Sequence, residues 1–159
     1  MIPRNLEPFI KKYAKEYPVI AIVGPRQSGK TTLARYIFPG HRYLSLENLD
    51  LRHFAKDDPR GFLLDSGNKI IIDEIQRVPE LFSYLQEHVD LENIPAQYVL
   101  TGSQQFLLME KISQSLAGRI VTFKPYPFSV SELFQSRPDK TILFKNPIFS
   151  EKLNPHESH

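Results

Sequence analysis

Short unbroken apolar runs alternate along this chain with stretches whose apolar residues recur every three or four positions. Val19-Ile20-Ala21-Ile22-Val23, bounded by Pro18 and Gly24, reads as a buried strand. Leu33, Ile37 and Phe38 then have helical spacing, and Pro39-Gly40 stops that helix. Arg42-Tyr43-Leu44-Ser45-Leu46 predicts a second strand with Tyr43 and Leu44 as its buried part. The polar segment 47–67 predicts one or two short helices broken at Pro59. Lys69-Ile70-Ile71-Ile72-Asp73 has the composition of a parallel strand covered on both faces. Pro79 suits the first turn of a helix carrying Leu81, Leu85 and Val89. A fourth strand is expected at Gln97-Tyr98-Val99-Leu100-Thr101, a helix over 104–117 from Leu108, Ile112 and Leu116, and a fifth strand at Ile120-Val121-Thr122-Phe123. Upstream, Asn5 can cap a helix with Leu6, Phe9, Ile10 and Tyr13 on one face. Strands alternating with helices define the α/β class with a parallel sheet.

The pattern changes after Phe123. Pro125, Pro127, Pro138, Pro147 and Pro155 punctuate a segment with one expected helix near 129–134, and the last twenty or so residues show neither period. The expected division is a core over 1–124 and an extension over 125–159, read as a tail or as the start of a second domain.

Composition narrows the class only moderately. A length of 159 residues suits one domain, and 41% hydrophobic with 24% charged residues is ordinary for a globular protein. A net charge of +2 without a long basic run gives no argument for nucleic acid. With no cysteine, disulfide frameworks and thiolate metal sites are excluded. No signal-peptide core or membrane-length apolar run is present, so the expectation is a cytoplasmic protein without a membrane partner.

The strongest chemical signal is Gly24-Pro25-Arg26-Gln27-Ser28-Gly29-Lys30-Thr31, which fits G-x-x-x-x-G-K-[ST] between a strand and a helix. Successive backbone N–H groups of such a loop, with the positive end of the following helix, capture phosphate. Gly24 and Gly29 allow backbone geometry that a side chain would resist. Lys30 supplies an ammonium for the β- and γ-phosphates, and the Thr31 hydroxyl can sit on Mg²⁺. The expected nucleotide contacts run from Gly24 through Pro25, Arg26, Gln27, Ser28, Gly29, Lys30 and Thr31 to Thr32.

Asp73-Glu74 ends the isoleucine strand, where parallel sheets present ligand-binding groups. Asp73 is expected to hold Mg²⁺ through water opposite Thr31, and Glu74 to polarise an attacking water; the plainer reading is an acidic pair opening a helix. Thr101-Gly102-Ser103 ends the fourth strand, where Thr101 or Ser103 can sense the γ-phosphate or Ser103 can cap the next helix. Arg119 is a candidate for stabilising transferred phosphoryl charge in its own subunit or in a neighbour's, the latter implying a homo-oligomer. Arg26 is a second candidate by proximity, and both have a plain reading as solvated arginines.

These blocks together, with Ile71-Ile72-Asp73-Glu74-Ile75-Gln76-Arg77-Val78-Pro79, Leu100-Thr101-Gly102-Ser103-Gln104, Ser115-Leu116-Ala117-Gly118-Arg119 and Pro127-Phe128-Ser129-Val130-Ser131-Glu132, resemble the AAA-like ATPases that carry a C-terminal DUF4143 domain. The resemblance covers most of residues 1–134. It implies a three-layer P-loop NTPase core of the additional-strand type, sheet order 5-1-4-3-2, binding Mg-ATP. By that analogy Lys30 and Thr31 are the Walker A pair, Asp73 and Glu74 the Walker B pair, and Thr101 or Ser103 the sensor. Arg119 falls in the Ala-Gly-Arg block of the family. Family members run well over twice this length, so the expectation is the ATPase core of that architecture, with DNA a partner only through a domain beyond it.

Two functions follow as expectations: Mg-dependent ATP hydrolysis coupled to a conformational output, or a nucleotide-dependent binding module with negligible turnover. A GTPase is weaker. Asp58-Pro59-Arg60-Gly61 matches D-x-x-G but follows no apolar strand, and Asn68-Lys69-Ile70-Ile71 lacks the aspartate that reads guanine. A small-molecule kinase is weaker too, for want of an arginine-rich lid.

Overall fold

The computed structural model describes residues 6–26, 28–103, 105–125 and 141–144, the last four as backbone. In chain order the elements are α1 (Glu7–Ala14), β1 (Val19–Val23), α2 (Lys30–Ile37), β2 (Arg42–Ser45), α3 (Leu49–Asp57), α4 (Pro59–Ser66), β3 (Ile70–Asp73), a 3₁₀ turn (Ile75–Arg77), α5 (Leu81–Glu92), β4 (Tyr98–Gly102), α6 (Phe106–Ser115), β5 (Ile120–Pro125) and β6 (Thr141–Phe144). The sheet order is β2-β3-β4-β1-β5-β6, and every neighbouring pair is parallel. The expected five-strand order is therefore present, with a sixth strand added beside β5.

Strand alternation explains the three layers. Val19, Ala21, Val23, Ile70, Ile72, Tyr98 and Leu100 face a core completed by α4, α5 and α6. Ile20, Ile22, Ile71, Val99, Val121 and Phe123 face the other way, onto α1 and α2. The isoleucine run of β3 thus feeds both cores, because successive side chains of a strand leave on opposite faces.

Local expectations met different fates. Pro59 does divide the polar segment, standing at the first position of α4 after the Asp58 cap, whose Oδ1 accepts from Gly61 N at 3.0 Å. A Cβ on Gly61 would fall 2.1 Å from the Asp58 carboxylate, so the D-x-x-G match is accounted for by a helix cap. Pro79 precedes α5 instead of lying in its first turn, because the 3₁₀ turn uses the residues after β3 and Glu80 becomes the cap. Phe9 is exposed, whereas Leu6 and Ile10 are buried. The β6 strand lies where no period was visible: a four-residue strand is specified by the free edge it joins more than by its own pattern. Asn5 and the helix expected near 129–134 lie outside the described residues, and the 124/125 boundary falls inside β5.

Candidate functional site

The loop 24–31 leaves the carboxyl end of β1 and runs into α2. Gly29 is the α2 cap in left-handed backbone (φ 82°), with open space where a Cβ would be. Gly24 has a different reason: a Cβ there would stand 3.1 Å from Ser28 Oγ, so glycine lets the loop close on itself. Gly24 N donates to Gly102 O at 3.0 Å, tying the start of the loop to the end of β4. The Lys30 side chain is buried and folds back over the loop, its Nζ donating to Pro25 O at 3.1 Å. Ser28 Oγ is buried without a hydrogen-bond partner among the described residues. Such an orphan is costly unless a ligand or water completes it.

Asp73 stands at the end of β3, 6% exposed, and collects hydroxyls from three elements. Its Oδ1 accepts from Thr31 Oγ1 at 2.8 Å and from Thr101 Oγ1; its Oδ2 accepts from Tyr43 OH at 2.7 Å and Ser45 Oγ at 3.3 Å. A carboxylate taken out of water is costly unless such donors satisfy it. Burial, followed by the bond to Asp73, pushes the Tyr43 phenol up to about 12, so it stays a donor at neutral pH. Arg35 lies over the Tyr43 ring at 4.4 Å.

Glu74 adopts a left-handed conformation (φ 61°, ψ 48°), uncommon for a residue with a side chain. That turn aims the chain away from the strand, and the Glu74 carboxylate accepts from Gln76 Nε2 at 2.5 Å. Gln76 Oε1 in turn accepts from Ser103 N at 3.3 Å. Ser103 Oγ is buried without a partner among the described residues, and α6 is capped by Gln105 with no side-chain bond. The capping alternative for Ser103 is therefore not what the fold uses.

Lys30, Thr31, Asp73, Glu74, Thr101 and Ser103 thus share the carboxyl end of the sheet. Pro25 and Arg26 are exposed on the loop, and Thr32 is exposed on α2, beside Arg35 and Tyr36 in a groove of about 570 Å³. Gln27 lies outside the described residues. Arg119 is the correction. Its carbonyl accepts from Val19 N at the amino end of the sheet, roughly a full strand length, about 16 Å, from the loop. Its guanidinium pairs with Asp90 at 2.6 and 3.0 Å and holds that carboxyl below its ordinary value. It does not reach the phosphate loop of its own chain. Arg77, 3.8 Å from Glu47, lies beyond the carboxyl ends of β3 and β2.

Sequence reasoning missed Tyr43, Ser45 and Gln76. The first two looked like ordinary strand residues, although their strand pairs in register with Asp73 (Ser45↔Asp73). Gln76 had no spacing rule to mark it.

The donor set suits a magnesium nucleotide. One hydroxyl and one carboxylate, 2.8 Å apart beside an anion-binding loop, leave most of a magnesium ion's coordination to phosphate and water. Among the described residues no group of three or more His, Cys, Asp or Glu forms a protein cage. No helix among them is long and apolar enough to cross a membrane.

Fold and site together define an AAA-like ATPase core, a nucleotide-binding module. The family model described as AAA domain matches residues 16–134, and the chain belongs to that family. Proteins of Mycobacterium bovis and Mycobacterium tuberculosis, both described as uncharacterized, are each 35% identical over 129 residues. The match takes in 79% of this chain but 29% of those relatives. A crystal structure of a DNA replication initiation factor aligns with a TM-score of 0.44 and 15% identity, over 75% of this chain and 44% of that one.

Proposed function

We propose that this domain binds ATP with Mg²⁺ and hydrolyses it. The observation that carries this reading is the Thr31–Asp73 hydrogen bond of 2.8 Å, which joins the end of the phosphate loop to the end of β3. Lys30 and the loop amides hold the β- and γ-phosphates. Thr31 would hold the ion through its hydroxyl and Asp73 through water, with Tyr43, Ser45 and Thr101 orienting the Asp73 carboxylate. When bound, the ion would supply charge neutralisation at the phosphoryl group. Glu74 accepts a proton from water as its oxygen bonds to the γ-phosphorus and the bond to the β-phosphate oxygen breaks, releasing ADP and phosphate. Thr101, bonded to Asp73, and Ser103, whose hydroxyl has no partner among the described residues, are the groups that register the γ-phosphate.

The competing reading is a nucleotide-dependent switch with negligible turnover. It draws on the position of Arg119, whose guanidinium pairs with Asp90 away from the loop in a single chain. A neighbour's Arg119 would require a homo-oligomer, and such an arginine is worth about 10³ to 10⁵ in rate. Any second domain, DNA partner or DUF4143 module belongs to the longer architecture and remains part of this proposal.

Calorimetric titration with ATP, with and without Mg²⁺, together with phosphate release tests the reading. Lys30→Ala is expected to lose nucleotide binding with its circular dichroism unchanged. Glu74→Gln is expected to keep binding and lose about 10²-fold or more of turnover. Wild-type affinity in Lys30→Ala would overturn the phosphate-loop assignment; wild-type binding with no phosphate release would favour the switch.

A further inference from the structure

The side chain of Gln76 bridges two parts of the site that are remote in sequence. Its Nε2 donates to Glu74 Oε1 at 2.5 Å and its Oε1 accepts from Ser103 N at 3.3 Å. Ser103 begins the turn after β4, and the residue before it, Gly102, accepts from Gly24 N of the phosphate loop at 3.0 Å. One carboxamide therefore stands between the carboxylate beside the metal ligand and the turn that abuts the phosphate loop.

The surroundings are shaped to this amide. A Cβ on Gly102 would fall 2.5 Å from Gln76 Oε1, with Leu108 and Ile75 at 3.2 and 3.3 Å behind it. Glycine at the end of β4 keeps room for the carboxamide; its φ is not in the left-handed range. Glu74 stands in left-handed backbone outside helix and strand, and its carboxylate meets Gln76. Gln76 also borders a pocket of about 190 Å³ with Phe82 and Leu108.

We propose that Gln76 is a positioning residue that fixes the Glu74 carboxylate and ties it to the turn after β4, so that a shift of Gly102 and Ser103 is felt at Glu74. This rests on the hydrolytic reading above. A glutamine has the required chemistry: one donor for a carboxylate and one acceptor for a backbone N–H, two bonds apart. Alanine offers neither, and misplacement of a catalytic group by about 1 Å can cost 10²-fold in rate.

The test has two parts. The first uses nucleotide-free protein labelled with ¹⁵N. The Gln76 side-chain amide signals, assigned by their loss in Gln76→Ala, should move in Glu74→Ala, and the Ser103 backbone amide should move in Gln76→Ala. Unmoved signals would overturn the bridge. The second is single-turnover phosphate release from ATP with protein in excess. Gln76→Ala should lower the maximal rate by about 10²-fold while leaving ATP affinity near wild type. Gly102→Ala, which displaces the amide by a different route, should slow the rate as well, and the double variant should be no slower than Gln76→Ala alone. Additive effects, or a wild-type rate in Gln76→Ala, would overturn the proposal while leaving the hydrolytic reading intact. No release by wild type would overturn both.

Discussion

Thr31, Tyr43, Ser45 and Thr101 direct four hydroxyls at one carboxylate, and that convergence says what Asp73 needs. A buried carboxylate left without donors is costly, and these four hydroxyls supply them. The prediction at this scale concerns Tyr43, whose phenol is the donor from the edge strand. Tyr43→Phe should lower stability by about 1 kcal/mol, the worth of one hydrogen bond among four, measurable by urea unfolding. It should also weaken the Mg²⁺-dependent part of ATP affinity while leaving the Mg²⁺-free part alone. Equal Mg²⁺ dependence in the two proteins would show that Tyr43 does not steer the carboxylate. At the same scale Asp73 and Glu74 are adjacent yet have different side-chain partners, because the chain turns into left-handed backbone at Glu74.

At the scale of elements, β1, β3 and β4 were legible because each is built on an apolar run, and the helices because Leu81, Leu85 and Val89, or Leu108, Ile112 and Leu116, fall on one face and are buried there. Such patterns follow from the geometry of strand and helix alone. The 3₁₀ turn at Ile75–Arg77 was not legible, since three residues carry no period, and it displaced Pro79 from α5. The segment 58–61 shows how a nucleotide-like motif can have a local cause. Asp58→Ala should cost about 1 kcal/mol through loss of the α4 cap, read as a lower urea midpoint with unchanged slope. Nucleotide affinity should not change; a large loss of affinity would return the D-x-x-G match to the functional site.

At the scale of the whole molecule, the contacts that matter join distant segments. His41 Nε2 meets Ala96 O at 2.7 Å, linking the connection after α2 to the turn before β4. Burial lowers its pKa from 6.5, with the positive charge of Lys69 adding to the effect, although the bond to Ala96 opposes it. A lowered folded value means that the unfolded chain takes up the proton first. The contribution of His41 is therefore complete above about pH 6.5 and is lost as pH falls through the lower folded value. Between pH 7.5 and 5.5 the wild-type Tm should fall further than that of His41→Gln, whose amide can still donate to Ala96. Parallel falls would remove His41 from the acid response.

Taken alone, the amino-acid sequence determined the alternation of strands and helices, the phosphate loop and the acidic strand end, because each is written in consecutive or regularly spaced residues. The resemblance to a known family supplied the strand order. Tertiary structure decided the rest. It placed Arg119 at the amino end of the sheet, since a residue that begins a parallel strand must lie away from the carboxyl ends where the loop sits. It brought Tyr43 and Ser45 onto Asp73 through strand register, and Gln76 onto Ser103 through a turn. It also added β6 to an open edge. Those contacts depend on separations of 27 to 30 residues or on a partner strand, and no local pattern encodes which distant residue will be met.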